Sequence, residues 1–178
     1  MTLSATGHAE AAALARCFAG RPIAAVYASP LERARQTAQP IAAALGREVA
    51  VEAGLDEVDF GAWTGASFAA LHADPRWGRW NRLRGLAEPP GGERIAAVQA
   101  RMMACLDALA ARHGDAELVA VGHGDPIKAA LLGYLGAPLD PMQRLVLDAG
   151  SISTVELGAE AVRVLAVNLP AAAARAGG

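Results

Sequence analysis

Arg33, Glu57 and His123 are the residues whose types and places in the chain could do chemistry. Arg33 falls in the first turn of a helix that follows the short apolar run Ile23 to Ala28. A cation there opposes the helix dipole, at a cost of about 0.3–1 kcal/mol. A bound anion reverses that sign, because helix N-termini and guanidinium forks both favour phosphate. The plainer reading is a solvated Arg offset by Glu32. His123 sits between Gly122 and Gly124, where the apolar run Leu118 to Val121 stops. Small neighbours let a ligand approach the backbone and leave an amide free to donate. A His after a strand also serves structure alone. Glu57 lies in Leu55-Asp56-Glu57-Val58-Asp59-Phe60-Gly61-Ala62-Trp63. Beside Phe60 and Trp63, its carboxyl group could be desolvated enough to stay protonated and act as a general acid. The alternative is an acidic loop of three solvated carboxylates.

The elements that must position these residues alternate between helix and strand. Ser4 or Thr6 can cap a first helix that stops at Gly20. Ile23 to Ala28 reads as a buried strand. Ser29 then suits an N-cap, with Pro30 at the first helical position and Glu32 completing a capping box. Pro40 is expected to kink or divide that helix, and Gly46 to end it. Glu48 to Glu52 is a second strand. Residues 54–92 carry Phe60, Trp63, Phe68, Trp77 and Trp80 among Gly and Pro, and read as loops and short helices forming a lid. Glu93 to Arg112 is a longer helix. Leu118 to Val121 is a third strand, after which Asp125 can cap a helix with Pro126 at its first position. Ser151 to Leu157 and Val162 to Val167 read as an antiparallel pair. Alternation of this kind implies a largely parallel sheet covered by helices, with ligands bound beyond the carboxyl ends of the strands.

Composition narrows the classes. The 178 residues carry a net charge of −2, with 53% hydrophobic and 19% charged residues. Such a chain suits one folded domain and offers no broad nucleic-acid face. His8, His72 and His113 have no ligand-like spacing, so no metal site is expected. Ser29 and Ser67 are not in a nucleophile elbow. Cys17 and Cys105 make no disulfide or zinc framework, and no apolar run reaches transmembrane length. A reducing cytoplasm is the expected compartment.

The segments as a set resemble the histidine phosphatase superfamily, which contains the cofactor-dependent phosphoglycerate mutases. The resemblance rests on Ser29-Pro30-Leu31-Glu32-Arg33-Ala34 with Gln36-Thr37-Ala38, on Leu55 to Gly65, on Pro90-Gly91-Gly92-Glu93 and on Val121-Gly122-His123-Gly124, in the family's order. It implies a three-layer α/β/α sandwich with a mostly parallel sheet and one antiparallel edge strand. The domain would run over 1–170, with a disordered tail at 171–178. The implied chemistry is phosphomonoester hydrolysis through a phosphohistidine, without cofactor or metal. Arg33 and Gly124 would bind the phosphoryl group, His123 would stabilise charge in transit, and Glu57 would protonate the leaving oxygen. A phosphorylated small molecule is the implied partner, with no nucleic acid or membrane; a homodimer is left open. The family's nucleophile lies in an Arg-His-Gly motif ending a strand upstream of the segment that Leu3 to His8 resembles. That central strand is therefore expected to be missing here. Three readings follow: a phosphatase given from too late a start, a phosphate-binding module without turnover, and an interaction protein that accepts a strand from a partner. Arg94 stands where many relatives have Ser, and either tunes substrate preference or caps the surface.

Overall fold

The computed structural model describes residues 2–158 and 160–173. Helix α1 (Ala5–Phe18) is capped by Ser4, whose hydroxyl accepts the Gly7 amide at 3.2 Å. Strand β1 (Ile23–Ala28) lies in the middle of a parallel sheet, flanked by β2 (Val49–Val51) and β3 (Glu117–Val121) in the order β2-β1-β3. Ala28 is opposite both Val51 and Val121, so the three strands end level.

The side-chain period of two explains the layers. Val26 and Ala28, with Val119, pack against Leu14 and Phe18 of α1 and Ala38 and Ile41 of α2 (Glu32–Ala44). Ala25 and Tyr27, with Leu118, pack against Met102 and Leu109 of α5 (Ile95–His113) and Ala130 of α6 (Gly124–Tyr134). A strand covered on both faces reads as a continuous apolar run, as Ile23 to Ala28 does. Residues between β2 and α5 include α3 (Phe68–Ala73) and α4 (Pro75–Arg82). Their Trp63, Leu71 and Trp80 join Ile95, Val98, Leu132 and Met142 in a further apolar cluster.

The parallel trio and the antiparallel pair match the sequence reading, but the one antiparallel edge strand expected on the parallel sheet is absent from it among the described residues. The pair, β4 (Ser151–Leu157) and β5 (Val162–Pro170), makes a sheet of its own. Among the described residues β3 pairs only with β1, and β4 only with β5. Three local expectations change. Leu31, not Ser29, occupies the cap of α2, because the Ser29 side chain is committed to the site described below. Pro40 lies inside α2 without dividing it; the buried Ala38, Ile41 and Ala42 anchor the helix on both sides of the ring. His123, not Asp125, is the cap residue of α6, and Asp125 instead pairs with Arg84. Of the expected tail, residues 174–178 lie outside the described ones, and Ala171 packs against the α1–α2 core. No helix among the described residues is long and apolar enough to cross a membrane.

Candidate active site

Level strand ends bring three loops to one place. The Ser29 amide donates to the Val121 carbonyl at 2.9 Å and the Glu52 amide to the Ala28 carbonyl at 2.9 Å, extending the ladder past the strands. Beyond Glu52 a 3-10 turn, Ala53–Leu55, buries Leu55 and turns the chain so that Asp56 and Glu57 face the sheet edge. Arg101 of α5 fixes this turn. Its Nη1 donates to the carbonyls of Gly54 and Asp56 at 3.0 and 2.9 Å, and its Nη2 to the Glu57 carbonyl at 2.9 Å. Glu93 accepts from Nε and Nη2 of the same guanidinium at 2.8 and 2.9 Å.

A backbone crossing ties the far end of the loop to the start of α5. The Ala62 amide donates to Pro90 O at 2.9 Å, and the Glu93 amide to Asp59 O at 2.8 Å. The two strands of chain pass so closely that a Cβ at Gly61 would lie 2.4 Å from Pro90 O, and one at Gly92 would lie 2.4 Å from Asp59 O. Gly61 also has a φ of 51°. The glycines of both segments are thus needed for the crossing itself.

Arg33, Glu57 and His123 converge. Arg33 Nη2 is 3.3 Å from Glu57 Oε2, and His123 Nδ1 is 3.8 Å from the same oxygen. Gly124 opens α6 beside them, with no heavy atom within 4 Å of the place a Cβ would take. Burial pushes the Glu57 carboxyl above its ordinary range; Asp125 adds to the shift, while the Val58 amide and Arg33 oppose it. Burial also drives His123 down to about 4, helped by the Arg33 charge and opposed by Asp56, so its imidazole is neutral at pH 7. The site therefore combines a guanidinium fork, a helix N-terminus, a neutral imidazole and a carboxyl that retains its proton to higher pH than usual. Those parts suit an anionic group undergoing proton-coupled displacement.

Several contributors lie outside the sequence reading. Ser29 is fully buried and touches His123 Nε2 at 2.8 Å and Asp56 Oδ1 at 3.0 Å. Arg84 is also buried; its guanidinium stacks over Trp80 at 3.2 Å and donates to Asp125 Oδ2 at 2.7 Å and Asn81 Oδ1 at 3.1 Å. The signals available were Arg101 amid an otherwise apolar helical stripe and an acidic residue directly after His123-Gly124. The triplet Arg112-His113-Gly114 has the spelling of the nucleophile motif but ends α5, ahead of β3, whereas His123 follows that strand. There His113 Nε2 bonds to the Tyr27 hydroxyl at 2.8 Å. Arg94 lies on the surface, paired with Glu88.

The family model of the histidine phosphatase superfamily, branch 1, matches residues 1–170. The chain belongs to that superfamily. A bifunctional protein of Mycobacterium tuberculosis is 40% identical over 148 residues, which are 80% of this chain and 40% of that protein. The chain thus spans well under half the length of this relative. Phosphoserine phosphatase 1 of Hydrogenobacter thermophilus is 30% identical over 169 residues, 94% of this chain and 80% of the relative. Among solved structures, a mycobacterial glucosyl-3-phosphoglycerate phosphatase with inorganic phosphate superposes with a TM-score of 0.83 at 27% identity, covering 96% of this chain and 88% of that one. The mostly parallel sheet with added antiparallel strands is the histidine phosphatase architecture.

Proposed function

We propose that this chain carries the anion-binding, proton-donating and imidazole parts of a metal-independent phosphomonoesterase for small phosphorylated molecules. The observation that carries this reading is the meeting of Arg33 and His123 at 3.3 and 3.8 Å from one Glu57 oxygen, at the carboxyl ends of three parallel strands. Arg33 and the Gly124 amide bind phosphoryl oxygens. Glu57 gives its proton to the leaving oxygen, then takes one from the water that attacks the phosphohistidine. His123 stabilises charge on the phosphoryl group in transit. The nucleophile in this reading is a His presented by a strand ending in Arg-His-Gly, an ending that none of the described strands has, and turnover requires such a strand. Relatives named for phosphoserine and for glucosyl-3-phosphoglycerate make small anionic phosphomonoesters the first substrates to try.

One observation favours a second reading, a protein that accepts a strand from a partner. The outer edge of β3 is unpaired among the described residues, and the β4–β5 sheet is separate from it. Such an edge offers backbone donors and acceptors to an extended segment. Hydrolysis of p-nitrophenyl phosphate at mildly acidic pH tests both. The arms are the 178-residue chain, the chain preceded by a strand ending in Arg-His-Gly, that longer chain with His123→Ala, and the 178-residue chain with the strand added as a peptide. We expect negligible turnover from the 178 residues, robust turnover from the longer chain with or without chelator, and a loss of several powers of ten with His123→Ala. Recovery with the peptide supports strand acceptance. Robust metal-independent turnover by the 178 residues overturns the reading and makes His8 the first nucleophile to test. Equal rates with and without His123 overturn the role given to that residue.

A further inference from the structure

We propose that Ser29 and Asp56 form a relay that holds His123 in the Nε2–H tautomer, leaving the Nδ1 lone pair on the side of Glu57 and Arg33. Ser29 Oγ has three polar neighbours: the Leu31 amide at 3.2 Å, Asp56 Oδ1 at 3.0 Å and His123 Nε2 at 2.8 Å. A hydroxyl has one proton to give and two lone pairs to offer. The amide only donates and the carboxylate only accepts, so the hydroxyl proton belongs to Asp56. Turned to His123 instead, it would leave Ser29 Oγ and Asp56 Oδ1 as two acceptors 3.0 Å apart at a fully buried serine. Oγ therefore receives from the imidazole, and Nε2 carries the proton.

The acceptor at the far end of the relay is itself held. Asp56 Oδ1 also accepts the Glu57 amide at 2.8 Å, and the Asp56 carbonyl accepts from Arg101 at 2.9 Å. Nδ1 is then the one ring nitrogen open to a further proton, and it lies 3.8 Å from Glu57 Oε2. Any positive charge His123 acquires is delivered toward the phosphate side. Ser29 and Asp56 are thus positioning residues that act through His123. Their bearing on catalysis rests on the function proposed above, whereas the tautomer does not.

The test is made on the 15N-labelled 178-residue chain at neutral pH, without ligand. Long-range proton–nitrogen correlation should show His123 protonated at Nε2 and bare at Nδ1. The Nε2 proton should give a nuclear Overhauser contact to the Ser29 hydroxyl proton. Asp56→Asn keeps an acceptor oxygen and should retain the Nε2–H pattern. Asp56→Ala frees the hydroxyl to donate to Nε2, and the tautomer ratio should fall by at least about tenfold toward Nδ1–H. A wild-type Nδ1–H ring overturns the relay, as does an unchanged ratio in folded Asp56→Ala. Should that variant not fold, the wild-type Overhauser contact decides, and its absence overturns the relay. Failure of phosphate hydrolysis would leave these spectra untouched, so the two proposals stand or fall apart.

Discussion

At the scale of single residues, the site is an arrangement of three ionisable groups in which burial decides who keeps a proton. His123 titrates in the folded chain near 4, below its ordinary 6.5. Between those values the unfolded chain binds a proton that the native one refuses, so stability falls as pH drops through that window. Glu57 has the opposite sign: its raised folded pKa favours the native state at low pH and loses that contribution as pH rises through it. Urea unfolding at about pH 7 and about pH 5 should show His123→Gln flattening the acid loss of stability. Phosphate bound as proposed would reverse the preference of the imidazole, because a dianion beside Nδ1 favours the charged ring. Binding of inorganic phosphate should therefore take up a proton near neutrality, visible by calorimetry in two buffers of different ionisation heat. Affinity that is independent of pH from about 5 to 8 would count against it. Arg33→Ala should weaken the same binding by at least about tenfold, the scale of one charge-assisted pair, and Arg33→Lys should recover only part, since an ammonium lacks the fork. Arg33 and His123 were legible in the sequence because one lies in the first turn of the helix after, and the other two residues beyond, a strand that reads as a plain apolar run. Ser29 was not, because its decisive partner is 94 residues away while a capping role lay next to it.

Elements are placed by backbone contacts that sequence patterns describe poorly. The strands could be read from apolar runs, but their level ends depend on a register that only pairing defines. Asp125 shows the same gap: a good cap by local rules, it answers instead to Arg84, 41 residues earlier. The glycine motifs were recognisable as landmarks, and the crossing of 59–62 with 90–93 supplies their physical cause. Gly61→Ala must meet both a positive φ and a carbonyl 2.4 Å away. It should destabilise the fold by about 2–4 kcal/mol, against about 1 kcal/mol for Gly20→Ala, measured by urea unfolding. Gly20 has a φ of 79° but open space around it, so it isolates the dihedral cost from the steric one. Equal losses at the two positions would show that the crossing relaxes. Arg101→Met should leave the helix intact yet free the carbonyls of Gly54, Asp56 and Glu57, broadening the Glu57 resonances and weakening phosphate binding.

For the whole molecule, the strands form two separate sheets, β2-β1-β3 and β4-β5, and among the described residues the outer edge of β3 is unpaired. Open edges invite pairing between copies. Sedimentation should show concentration-dependent association of the 178-residue chain, reduced when an added strand occupies the β3 edge; a strictly monomeric chain at high concentration would remove this expectation. The crossing at Gly61 and Gly92 has a consequence of another kind, in how the molecule opens. It separates the aromatic segment from the loop that carries Glu57 by two backbone hydrogen bonds, Ala62 to Pro90 and Glu93 to Asp59. Residues 64–88 are spanned by that clasp, and opening α3 and α4 would release Trp80 from Ile95 and Val98 and Arg84 from Asp125 while Glu57 stays held by Arg101. Hydrogen exchange would then divide the chain at the clasp: amides in 68–82 exchange through partial opening, whereas those of Ala62 and Glu93 wait for a rarer event.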